Sequence, residues 1–135
     1  MHAVLRDGTS TGGRHATERL LRKHAKCDGI FAVNDPAALG ARAALVEAGL
    51  TGVTVVGFDG SREGKAAVKV GKLYATPIQY PDQIGIETVR AIVRHFNGEA
   101  LPTEMLIPTS LYRKKASRAE PIHDPMTRPL ARLTC

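Results

Sequence analysis

Tryptophan is absent from the 135 residues, and aromatic side chains make up only 4% of them. That scarcity argues against a platform that stacks on sugars or bases. It suits an α/β domain packed from Ala, Val, Leu and Ile, and 43% of the residues are hydrophobic. No run of eighteen apolar residues occurs, so no membrane insertion is expected. The stretch from Met1 to Gly13 lacks a basic region followed by an apolar one. As written, the chain therefore carries no signal peptide and is expected in the cytoplasm. The two cysteines, Cys27 and Cys135, have no metal-like spacing. None of the five histidines forms a zinc-type pair, and no Ser sits in a Gly-x-Ser-x-Gly elbow. Gly8 to Gly13 precedes a helix but lacks the Gly-Lys-Ser/Thr ending of a phosphate loop, and reads as a plain loop. No catalytic residue, no metal and no cofactor is expected.

The net charge is +6. From Arg113 to Cys135 there are six Lys/Arg against two Asp/Glu, which places most of the excess in the last 23 residues. Residues 1–112 hold 13 basic and 11 acidic side chains and are nearly neutral. A phosphate-binding face needs a basic stripe on the folded part. No nucleic-acid partner is expected. The chain divides into one domain over 1–112 and a basic tail over 113–135, whose Pro, Arg, Ser and Thr without periodicity read as disorder.

The stretch Phe31 to Gly40 organises the domain. It reads as a buried apolar strand, a polar turn and an immediate helix. Asp35 suits the N-cap, Pro36 the first helical position, and Gly49 the residue just past the helix end. The helix Pro36–Ala48 is expected to bury Leu39, Ala43 and Val46. Upstream, His2–Leu5 reads as a strand, Asp7–Gly13 as a loop and Arg14–Ala25 as a helix with Ala16, Leu20, Leu21 and His24 on one face, His24 at its surface. Downstream, the β-branched run Val53–Phe58 reads as a strand covered on both faces. A helix follows over Ser61–Lys69. Leu73–Gln79 reads as a strand that Pro77 relegates to an edge or an irregular end. A helix from Pro81 or Asp82 to Phe96 carries Ile84, Val89, Ile92, Val93 and Phe96 as its buried stripe, and Asn97-Gly98 ends it. Leu106–Pro108 and Ser110–Tyr112 read as short extended pieces. Strands alternating with helices in this way imply a parallel sheet with right-handed crossovers.

Asn34, Asp59 and Gln79 end three of these strands. All three face the carboxyl edge, where ligands of open α/β sheets bind. Carboxylates accept hydrogen bonds, while amides both donate and accept. Neither amide titrates, so the set fits recognition of a polyol without turnover. Taken singly, Asp59 could merely cap the next helix and Asn34 merely shape a turn. Three polar groups at equivalent positions favour a site.

Phe31-Ala-Val-Asn-Asp-Pro-Ala-Ala-Leu-Gly-Ala41, Val55-Val-Gly-Phe-Asp-Gly60, Gly71-Lys-Leu-Tyr-Ala-Thr76 and Gln79-Tyr-Pro-Asp-Gln-Ile-Gly85 resemble the C-terminal lobe of ribose-type periplasmic sugar-binding proteins. The likeness covers about residues 14–112. It implies one lobe of a three-layer α-β-α fold built on a parallel sheet, with the first strand and helix of that lobe and the whole first lobe lacking. It implies a small sugar ligand, an ABC permease as partner, a periplasmic setting, and Asn34, Asp59 and Gln79 as the groups that bond sugar hydroxyls. The loop Asp7–Thr11, where the family commonly places an aromatic and a charged contact, reads Asp-Gly-Thr-Ser-Thr and offers no ring to stack on a sugar. Without its first strand the sheet exposes an edge at Gly29–Val33, so a homo-oligomer is expected, for example by exchange of His2–Leu5. The alternative is the effector-binding half of a LacI-like regulator, which requires a helix-turn-helix upstream. A flavodoxin-like enzyme is a third reading, with no motif in its support.

Overall fold

The structure, a computed structural model, describes residues 7–24 and 26–114. The strand expected at His2–Leu5, the helix end at Ala25 and the tail from 115 onward lie outside the described residues. Eight elements follow in order: α1 (Ser10–Lys23), β1 (Gly29–Phe31), α2 (Asp35–Glu47), β2 (Thr54–Val56), α3 (Arg62–Lys69), β3 (Ala75–Ile78), α4 (Pro81–Phe96) and β4 (Ser110–Arg113). The strands form one sheet in the order β1-β2-β3-β4. β1, β2 and β3 run parallel, while β4 returns antiparallel to β3 with Ala75 opposite Arg113. The expected domain boundary at 112/113 thus falls inside β4. The α/β class and the open parallel sheet stand, with one antiparallel strand added.

The core lies between the sheet and helices α2 and α3: Ala38, Leu45, Val53, Val55, Ala67, Val68 and Leu73 form one buried cluster. Val53 and Val55 project to that side because side chains alternate along a strand. Thr54 between them is exposed, so β2 is covered on one face and not on both. β1 is not the buried strand expected either. Its Phe31 is 67% exposed, as is Val33 just beyond it. The Ala32 N–H donates to Val56 O and the Thr54 N–H to Asp28 O. The backbone groups of Gly29 and Phe31 therefore point to the side of β1 where no described strand pairs. The helical layer on the second face of an α-β-α sandwich is not among the described residues.

Four further expectations are corrected. β3 is interior, not an edge. Its ladder with β2 is interrupted between the Val56–Ala75 pair and the Asp59–Ile78 bridge, and Pro77 falls in that gap, where its missing N–H does no harm. α1 begins at Ser10, inside the expected loop: the Thr9 hydroxyl accepts the Gly12 N–H at 2.9 Å and makes Thr9 the N-cap. Its buried residues are Gly12, Gly13 and Thr17, while Ala16, Leu20, Leu21 and His24 are half-buried. α2 buries Ala37, Ala38, Gly40, Ala41, Ala44 and Leu45, while Ala43 and Val46 are exposed and Leu39 is half-buried. It packs on two sides, against α1 and against the sheet, so its small residues rather than its larger ones are covered.

The fourth correction concerns α4. Its bounds match, and Asn97 and Gly98 end it, Gly98 at φ +78°. Yet none of its residues is buried, and Ile86, Val89, Ile92, Val93 and Phe96 are all at least half exposed. The stripe has the right period, but no described element lies against it. A helix of this kind draws its stability from packing more than from propensity. No helix among the described residues is long and apolar enough to cross a membrane.

Candidate functional site

Each of the three candidate residues follows a strand of the parallel set. Phe31 is level with Val56 across β1 and β2. Asn34 and Asp59 each follow three positions after that pair in the chain, past the carboxyl edge. Asp59 in turn bridges to Ile78, one residue before Gln79. Neighbouring strands lie about 4.8 Å apart, so three adjacent strand ends span about 10 Å.

Asp59 and Gln79 are joined directly. The Gln79 Nε2 donates to Asp59 Oδ1 at 3.0 Å, and the Gln79 backbone N–H donates to the Asp59 carbonyl at 3.0 Å. Phe58, just before Asp59, meets Phe31 edge to face at 6.3 Å between ring centroids, so the β1 and β2 ends are also in contact below the rim. Asn34 is half-buried. Its Oδ1 accepts the Ala37 N–H at 2.9 Å. Its Nδ2 faces the Gly8 backbone so closely that a Cβ on Gly8 would stand 2.9 Å from it.

Asn34, then, is the N-cap of α2, and the expected role of Asp35 is corrected. The reason is backbone geometry. Asn34 has the extended φ and ψ of a cap, while Asp35 is already helical. Capping occupies only the amide oxygen of Asn34, and its NH₂, beside Gly8, takes no part in the cap. Asp59 does not cap α3. Ser61 does, its Oγ accepting the Gly64 N–H at 2.9 Å. Both Asp59 oxygens consequently stay at the rim, one of them shared with Gln79.

The Asp59 carboxyl titrates above the ordinary aspartate range, first because burial penalises its charge and second because the Asp35 carboxylate lies nearby. Its φ of +101° is the only positive value among the described non-glycine residues. Asp tolerates that region better than most residues, and such positions concentrate at functional sites.

Sequence reasoning missed the groups beneath the rim. Asp35 is fully buried, with Oδ2 accepting from the Ser61 N–H and Oγ–H at 2.7 and 2.8 Å. Thr76, also fully buried, accepts the Gly60 N–H at 3.0 Å. A sequence signal existed for Asp35: a carboxylate at the first turn of a helix, on the side of the next strand's Gly-rich turn. The simpler capping role masked it. Chemically, the rim offers an amide donor, a carboxylate acceptor and a second amide. It can hold a neutral hydroxyl-rich molecule, and it contains no nucleophile–base pair.

Residues 4–100 match the family described as periplasmic binding protein domain. The ribose import binding protein of Salmonella typhimurium is 41% identical over 109 residues, which are 81% of this chain and 37% of that protein. The chain thus spans little more than a third of that relative's length. A solved ABC transporter solute binding protein from Agrobacterium vitis with bound D-fucose superposes with a TM-score of 0.71 at 25% identity, over 93% of this chain and 42% of that one. The Lac repressor bound to ONPG superposes with a TM-score of 0.69 at 26% identity, over 82% of this chain and 34% of the repressor.

Proposed function

The chain belongs to the periplasmic binding protein family, and we propose that it supplies one wall of a monosaccharide receptor, the substrate-recognition component of an ABC-type carbohydrate importer. What supports this reading is that Asn34, Asp59 and Gln79 each follow one of three adjacent parallel strands at the carboxyl edge, with the Gln79 amide donating to Asp59. In the proposal Asp59 accepts hydrogen bonds from sugar hydroxyls, while the Asn34 and Gln79 amides donate to them. No bond is broken. The receptor works in the periplasm and hands its sugar to a permease after a second wall closes over it.

One wall encloses a small ligand poorly, because sites of this kind bury most of their ligand's surface. The chain alone is therefore expected to bind monosaccharides with millimolar affinity. An NMR titration with pentoses and hexoses at tens of millimolar checks this. The side-chain amide signals of Asn34 and Gln79 should move together for at least one sugar. Signals that stay fixed for all of them refute the reading, and micromolar binding refutes the one-wall argument.

The repressor superposition favours a second reading, the effector-binding part of a LacI-like regulator. The 41% identity to an import protein over 81% of this chain supports the receptor instead.

The free edge of β1 and the uncovered α4 stripe support a further property, self-association of the chain by itself. Sedimentation at micromolar concentration is expected to give a dimer or larger species. A uniform monomer contradicts it.

A further inference from the structure

One side chain fastens the two loops that carry the rim. Asp35 follows Asn34 directly, and Ser61 comes two residues after Asp59. The buried Asp35 Oδ2 receives both donors of Ser61, its N–H at 2.7 Å and its Oγ–H at 2.8 Å. The other oxygen, Oδ1, has no hydrogen-bond partner. The space around the carboxylate is made by two glycines. A Cβ on Gly57 would stand 2.2 Å from Oδ1, and one on Gly64 2.0 Å from Oδ2. Neither glycine has positive φ. Their smallness, not their backbone freedom, is what the carboxylate requires.

The turn that Asp35 grips is bent. Asp59 at φ +101° and Gly60 at φ +67° are consecutive left-handed residues. A non-glycine residue stays in that region only where the surroundings over-determine it. Two buried groups do so here: Thr76 Oγ1 takes the Gly60 N–H, and Asp35 takes Ser61. Thr76 lies on β3, three residues before Gln79. The pair of pins therefore ties all three strand ends into one unit. A carboxylate fits this place better than a neutral acceptor. It receives two donors on one oxygen, and it sits at the N-terminus of α3, where the helix dipole favours negative charge.

We propose that Asp35 is a positioning residue for the ligand-facing rim, fixing the separation of Asn34 and Asp59 through Ser61 and holding Asp59 in the turn where it meets Gln79. The proposal rests on the reading of those three residues as the sugar-facing groups. A residue with a purely structural role lowers overall stability and leaves the rim of the folded molecules unchanged. A positioning residue loosens the rim first.

The test compares Asp35→Asn with the unaltered full chain, isotope-labelled, by NMR. The Gln79 side-chain amide is expected to move toward the position of a free glutamine amide. Exchange of the Ser61 and Gly60 backbone amides is expected to accelerate at least tenfold more than that of Leu45, which reports the core. Equal acceleration of all three, with the Gln79 and Asn34 side-chain signals unmoved, overturns the proposal. Should Asp35→Asn fail to fold, the unaltered chain decides. Ser61 and Gly60 exchange within tenfold of Leu45 supports the pinned turn, and exchange a hundredfold faster overturns it. None of these readouts uses a sugar. A chain that shows the Asp35 effect but no sugar-induced shift refutes the receptor reading alone, and the converse refutes this one alone.

Discussion

Gly40→Ala is expected to cost about 3 kcal/mol of stability and to detach α1 from α2. Helix propensity alone predicts the opposite sign, since Ala is favoured over Gly by about 1 kcal/mol in a helix interior. Packing decides the matter. A Cβ on Gly40 would stand 1.9 Å from the Ser10 carbonyl oxygen and 2.9 Å from the Arg14 nitrogen. Both are backbone atoms of α1, so no side-chain rotation relieves the contact. Gly13 faces the reciprocal problem, with the Ala37 carbonyl oxygen 2.2 Å from a Cβ placed there. The two helices touch backbone to backbone, and any added methyl group pushes them apart. Thr17 would then lose the burial that α2 gives it. Gly85→Ala is the control. It lies inside α4 with nothing within 4 Å of its added Cβ, and should raise helicity by the propensity alone. Denaturant midpoints and circular dichroism read both. A Gly40→Ala chain as stable as the original shows that α1 does not pack as described.

These glycines also explain what the sequence conceals. Gly12 and Gly13 read locally as a loop, because glycine is a poor helix former and a frequent turn former. Both lie in α1 where a side chain has no room: a Cβ on Gly13 would meet the backbone of α2 at Ala37, and one on Gly12 the Asp7 carboxylate, and the first of these demands is tertiary. The larger pattern was legible. The order of elements, the positive φ at Gly49, Gly71 and Gly98 and the ends of α4 all follow from local signals. Burial was less legible. The period of α4 identifies its apolar side, but period alone says nothing of whether a partner is present. A continuous apolar run suggests two covered faces for β2 and a buried strand for β1, although among the described residues one face of β2 and one edge of β1 stay open. At the rim, strand ends could be found from pattern alone, which located Asn34, Asp59 and Gln79. Their supports, Asp35 and Thr76, are single polar residues whose roles depend on neighbours 26 and 16 positions away in the chain.

Replacing the matching 37% of the ribose import binding protein with this chain is expected to raise sugar affinity at least a thousandfold over the isolated chain. A second wall supplies the remaining burial of the ligand. Micromolar binding of a monosaccharide is the expected calorimetric result. Asp59→Asn in that hybrid should weaken binding by about a hundredfold. Hydrogen bonds to a charged partner contribute about 1.5–3 kcal/mol, and the amide cannot accept on both of its polar atoms. The pH dependence follows from the same group. In the proposed complex sugar hydroxyls donate to the ionised carboxylate, so the binding form there is the deprotonated one. Because burial and Asp35 raise the pKa of Asp59, affinity should be full well above that raised value. It should fall as pH drops through it, beginning at a higher pH than for an ordinary aspartate. In Asp59→Asn this decline should disappear. A hybrid that folds yet binds as weakly as the single wall, or one whose affinity ignores Asp59→Asn, places the sugar-binding groups elsewhere.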